Sequence, residues 1–110
     1  MSDVEIMVTC ADADEAARIG RALVTRRLAA CAMQWPVRTC YRWQGEIRDA
    51  AEELLTVKST ESLFGAACRV IMAEHSYEQP AITMVRLSAT GPGYREWLRE
   101  TLIRHPHLSP

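Results

Sequence analysis

The sequence predicts a single α+β domain whose elements follow the order β-α-β-β-α-β and close with a third helix. Three observations carry this. Val4, Ile6 and Val8 alternate with Glu5, Met7 and Thr9, the period of a strand with one buried face. Ala16, Ile19 and Leu23, then Val24 and Leu28, recur at helical spacing. From Cys31 to Trp43 the chain is strand-like nearly throughout, about twice the usual 5–6 residues of a strand.

The first strand covers residues 4–9. Asp12, Ala13, Asp14 and Glu15 follow, an acidic cap with a glutamate three residues on, which starts a helix running roughly to Arg27. In the long second strand Val37, Thr39, Tyr41 and Trp43 share a face. Pro36 cannot donate to a ladder and marks an edge or a bulge. Gln44, Gly45 and Glu46 read as a turn. The third strand covers about 51–59, with Leu55 and Val57 on one face and Glu52, Leu54, Thr56 and Lys58 on the other. Thr60 is the expected N-cap of helix two. Along that helix Phe64, Ala67, Cys68 and Ile71 form a stripe flanked by Leu63 and Val70. Residues 75–80 form a loop with an extended exit at Pro80. A fourth strand spans 81–87, a turn-rich link 88–93, and the last helix starts near Tyr94 with Trp97, Leu98, Thr101 and Leu102 on one side. Residues 105–110 are expected to fray.

This order is the ferredoxin-like split β-α-β arrangement. Two helices on one face of a four-stranded sheet leave the other face bare. A bare face and an overlong strand are both resolved by association, so the chain is expected to bind copies of itself.

Composition removes several classes. At 110 residues the chain is one domain, 1–110. A net charge of −1 argues against a nucleic-acid binder with a basic surface. No apolar run approaches the ~20 residues of a membrane span, and no basic stretch leads into an apolar core, so a cytoplasmic protein is expected. Cys10, Cys31, Cys40 and Cys68 form no C-x-x-C pair, which disfavours a zinc ribbon or thioredoxin-like site; free and mostly buried thiols are expected.

Five motifs then fall in one order: Leu28-Ala29-Ala30-Cys31; Tyr41-Arg42-Trp43-Gln44-Gly45-Glu46-Ile47; Glu52, Leu55, Lys58, Ser59 and Thr60; His75, Tyr77, Glu78 and Pro80; and Tyr94, Trp97 and Leu98. Together they strongly resemble the CutA family of divalent-cation tolerance proteins, from Val4 to about Leu102. The resemblance implies a homotrimer with strands pairing across subunits, a cytoplasmic location and a link to copper or other divalent metals. It implies no catalytic activity. The family architecture is also similar to that of PII signalling proteins, which implies a second role: a signalling or scaffold trimer binding a small metabolite between subunits.

This chain departs from the family at the proposed metal ligands. A cysteine late in strand one and a His-His pair ending helix two correspond here to Val8, Glu74 and His75. Cys10 is the nearest substitute thiol. The last acid of the 75–81 segment is replaced by Ala81, and the stretch between Cys31 and Trp43 is one residue short.

Each candidate residue carries two readings. His75 either binds copper or zinc through a neutral imidazole or interacts with the carbonyls ending helix two. Glu78 either joins it or accepts from nearby backbone N–H groups. Cys31 offers a soft thiolate or packs at the start of the long strand. Glu52 and Lys58, on one face, line an intersubunit pocket or form ion pairs fixing register. Trp35, Tyr41 and Trp43, with Tyr77, form a ligand cradle or anchor an interface. His105 and His107 scavenge metal or belong to a solvated tail. Any metal is expected to be unnecessary for folding. An enzyme is disfavoured: acylphosphatases share the order but need an asparagine, and this chain has none. No nucleophilic triad or phosphate-cradling glycine loop is present either.

Overall fold

A computed structural model describes residues 2–104. The expected tail, with His105 and His107, lies outside the described residues. Alternation at the start of the chain produces β1 (Asp3–Cys10), with Val4, Ile6, Val8 and Cys10 all buried on one face. With β2 (Cys31–Trp43), β3 (Glu46–Thr60) and β4 (Ile82–Arg86), it forms a four-stranded antiparallel sheet of order β2-β3-β1-β4, in which β1 lies between β3 and β4. Helices α1 (Ala13–Thr25) and α2 (Phe64–Glu74) cover that face, and Ile19, Leu23, Ala67 and Ile71 pack with Ile6, Leu55 and Val57. Each large aliphatic side chain in this layer contributes about 1.5–3 kcal/mol through burial. The ferredoxin-like α+β arrangement expected from the sequence is the one observed.

Several boundaries differ from expectation for local reasons. Asp12 caps α1, its Oδ1 accepting from the Glu15 amide at 2.8 Å. The helix ends at Thr25 rather than Arg27, because Arg27 turns left-handed (φ 60°) and the amides of Leu28 and Ala29 fold back to the Leu23 carbonyl. Thr60 caps no α-helix: a 3-10 turn over Glu61–Leu63 comes first, and its hydroxyl meets that of Ser62 instead. β4 is shorter than the expected 81–87. α3 (Tyr94–Thr101) starts where expected and crosses one end of the opposite sheet face. There Arg95 and Arg99 grip the buried Asp3 carboxylate at 2.8 and 3.1 Å, and Leu98 and Leu102 pack with Ala30 and Leu63.

The largest departure lies in β3, which begins at Glu46 rather than near Ala51. β2 (Cys31–Trp43) has the expected bounds and pairs with β3 without a break from Cys31↔Lys58 to Trp43↔Glu46. Gln44 (φ 52°) and Gly45 (φ 81°) form a two-residue turn of the mirror-image type that matches strand twist, so pairing resumes at once. Pro36 sits on the outermost strand with no bulge; of the two expected alternatives, it marks the edge. β1 reaches only to the level of Glu53. The hairpin beyond that level therefore projects as an arm, about 20 Å long at ~3.3 Å per residue.

Away from the helices, the sheet face carries Met33, Trp35 and Val85, all substantially exposed. Among the described residues, the buried Thr56 hydroxyl on this face has no hydrogen-bond partner.

Candidate functional site

Where the arm leaves the sheet, residues 75–80 fold against it and enclose a cleft of about 700 Å³. Thr39, Tyr41, Trp43 and Glu52 come from the arm, and Tyr77 and Glu78 from the loop. Glu52 lies at its base, 8% exposed. A carboxylate this buried needs donors. Thr39 donates its hydroxyl to Oε1, and the Tyr77 hydroxyl donates to Oε2, both at 2.5 Å. Burial, and then the bond to the Glu52 carboxylate, push the Tyr77 hydroxyl pKa well up, so it stays a donor.

The loop is held from behind by two buried side chains. His75 caps the end of α2 and its side chain is fully buried. Its Nε2 lies 2.9 Å from the Thr9 carbonyl, which can only accept, and its Nδ1 lies 3.0 Å from the Tyr77 amide, which can only donate. These partners specify a neutral imidazole protonated at Nε2. Glu15 reaches across from α1. Its Oε1 accepts from the Ser76 amide at 2.6 Å, and its Oε2 accepts from the Ser76 hydroxyl at 2.9 Å and the Ala11 amide at 3.1 Å. Burial alone would raise the Glu15 pKa, but the amides of Ser76 and Ala11 outweigh it and hold the carboxyl below its usual range. Burial pushes the neighbouring Cys10 thiol up to about 12, assisted by the charges of Glu15, Glu52 and Asp12. That thiol, fully buried, packs as a core group on the same strand face as Val8, the position matching the family cysteine.

The predicted site residues separate into two groups. Tyr41, Trp43, Glu52, Tyr77 and Glu78 line the cleft, with His75 directly behind it. Cys31, Lys58 and Trp35 lie elsewhere. Cys31 sits opposite Lys58, near the other end of the sheet, its Sγ 3.7 Å from the Tyr94 hydroxyl. Lys58 pairs with Glu5 at 3.1 Å. Trp35 stands opposite Leu54 on the open sheet face. Among the described residues no three His, Cys, Asp or Glu side chains are grouped to share a metal ion. His75, Glu78 and Cys31 are not brought together, and both imidazole nitrogens are already engaged. These residues do not fit a resident metal centre.

Thr39, Ser76 and Glu15 belong to the site but were not singled out by the sequence reading. Thr39 stands on the face predicted for Tyr41 and Trp43; only the register with β3 brings it to Glu52. In the sequence Glu15 shows only as part of a helix start, and its partner Ser76 lies 61 residues away. Of the four free cysteines only Cys10 is fully buried, while Cys40 is exposed on the arm, contrary to the expectation of mostly buried thiols. The arm has no core beneath it, so alternate positions there face solvent.

The family described as CutA1 divalent ion tolerance protein matches residues 4–101. The divalent-cation tolerance protein CutA of Thermus thermophilus is 38% identical over 98 residues, covering 87% of this chain and 95% of that one. A CutA homolog of Danio rerio is 37% identical over 88% of this chain; the chain spans only 65% of that protein's length. It spans 56% of a chloroplastic CutA 1 of Oryza sativa. Among solved structures, CutA of Xylella fastidiosa superposes with a TM-score of 0.89 at 35% identity, covering 94% of this chain and all of the other. A protein from Archaeoglobus fulgidus described as periplasmic gives 0.88 at 29% identity, covering 90% and 97%. No described helix is long and apolar enough to cross a membrane. With matching motifs, element order and sheet topology, the chain belongs to the CutA1 divalent ion tolerance family.

Proposed function

We propose that this chain acts as a non-enzymatic homotrimer in divalent-cation tolerance, copper included, in the cytoplasm, and that its working site is the cleft over Glu52 and Tyr77. The observation that carries the reading is the projecting arm. A two-stranded hairpin alone is marginally stable in water, yet this one presents Tyr41, Trp43 and Ile47 to solvent, Ile47 at 66% exposure. Docked on a neighbouring copy, the arm buries Ile47 and brings the cleft walled by Tyr41 and Trp43 to a subunit boundary, and cyclic symmetry lets three copies satisfy one another with no arm left over. The bare face with Met33, Trp35 and Val85 is the natural centre of such an assembly.

Metal contact in this reading is weak and unnecessary for folding, with Glu78 the exposed carboxylate of the cleft. The burial of the Cys10 thiol and the engagement of both His75 nitrogens support a reading without catalysis. One observation favours a second reading, a PII-like scaffold binding a small metabolite. The cleft is ligand-sized and combines aromatic walls with a few convergent polar groups.

The test is growth under copper challenge in a host lacking its own family member. Wild-type chain is expected to restore growth, and a Trp43→Asp/Ile47→Asp arm variant is not. Rescue by the arm variant, or no rescue by wild type, would count against the proposal.

A further inference from the structure

We propose that the cleft takes an organic cation, with Glu52 as counter-ion to an alkylammonium group and the rings of Tyr41, Trp43 and Tyr77 as its walls. This deepens the site reading above and rests on it. Glu52 is more than nine-tenths buried, yet both of its hydrogen bonds come from neutral hydroxyls. Among the described residues no ion pair reaches it, so its charge faces the cleft without a cation. Each carboxylate oxygen retains further accepting capacity for an N–H donor.

The surrounding charges point the same way. Glu15 lies behind the loop and Glu78 lines the cleft. Among the described residues the one cation in the lining, Arg48, is partly solvated and lies 3.5 Å from Glu46 near the arm tip. Burial first, and after it the carboxylates of Glu52 and Glu15, displace the pKa values of both Tyr77 and Cys10 upward.

Three alternative ligands fit less well. A divalent metal needs several oxygen or nitrogen ligands, and no group of three is assembled among the described residues. An anion would approach a carboxylate already short of positive charge. A purely apolar molecule would leave that charge buried and uncompensated. An alkylammonium group satisfies Glu52 with N–H donors, meets the aromatic faces through cation–π attraction and covers them with its chain.

Four-carbon probes that differ only in headgroup provide the test: butylammonium, butan-1-ol and butyrate, titrated into the full chain at pH 7. The Trp43 indole resonance serves as the readout. Butylammonium is expected to bind about tenfold more tightly than butan-1-ol, and butyrate more weakly than either. Glu52→Gln, which keeps the shape and one acceptor, is expected to abolish the preference for the amine. Equal binding of butan-1-ol and butylammonium to wild type would overturn the inference without reliance on any variant. So would tighter binding of butyrate, or a preference that survives in Glu52→Gln. Light scattering on the same samples separates this from the assembly. A trimer indifferent to the amine refutes the ligand class alone, whereas a monomer that prefers it refutes the assembly alone.

Discussion

Replacing Glu15 by glutamine tests how the cleft loop is held. The carboxylate accepts three hydrogen bonds, two from backbone amides on opposite sides of the site. Glutamine offers one carbonyl oxygen and one NH2 group in the same volume. Whichever way the amide turns, the Ala11 or the Ser76 amide then faces a donor. Hydrogen bonds to a charged group contribute about 1.5–3 kcal/mol, and a buried donor left unsatisfied costs about 1–3 kcal/mol. With Glu15 only 4% exposed, solvent replaces little of this. The expected loss is about 3 kcal/mol at pH 7. For a domain of this size that lowers Tm by roughly 10–15 °C. The assay is thermal unfolding by circular dichroism at fixed protein concentration. Its pH dependence follows from the depressed folded pKa of Glu15. The stabilisation is fully present above the unfolded value of about 4.3 and is lost as pH falls through the folded value. The gap between wild type and Glu15→Gln should therefore shrink below about pH 4. A Tm within about 2 °C of wild type at neutral pH, or a gap that does not shrink in acid, would refute the account of the loop.

Further outcomes follow from the same geometry. Gly20→Ala places a Cβ 3.1 Å from Ala32 Cβ and 3.2 Å from Leu55 Cδ1. Overpacking of about 1–3 kcal/mol should outweigh the helix-propensity gain of about 1 kcal/mol, giving a net loss in a denaturant melt; a stabilised variant would contradict this packing. Asp3→Ala releases Arg95 and Arg99 and should cost about 2 kcal/mol, at the lower end because both guanidiniums are partly solvated. Hydrogen exchange should then rise first in α3, and an unchanged α3 would contradict the clasp. Alkylation of the native protein followed by mass spectrometry should modify Cys40 first and Cys10 only after unfolding. Equal rates at the two would contradict the burial of Cys10.

Where a segment packs against the core, its pattern shows in the sequence. Val4, Ile6 and Val8 alternate because the other face of β1 is more open, and Ile19 and Leu23 recur because α1 buries one side. The first residues of β3, Glu46 to Ala50, show no such alternation. Both faces of the arm meet solvent in the chain alone, so nothing selects apolar residues at every second position there. The residues of the site show a similar divide. Tyr41, Trp43, Glu52 and Tyr77 stood out through the family motifs. Thr39 and Glu15 acquire their roles only through the pairing of β2 with β3 and the packing of α1 on the loop. Lys58 and Glu52 share a strand face, as alternation requires. Yet they take different partners, because six residues of extended chain separate them by about 20 Å.

The central claim, that the arm and the bare sheet face exist to join copies of this chain, is tested most directly by molar mass in solution. Multi-angle light scattering at micromolar protein should give roughly three times the 12.4 kDa of one chain. The Trp43→Asp/Ile47→Asp variant should give a smaller mass. A wild-type mass of one or two chains would contradict the proposed assembly.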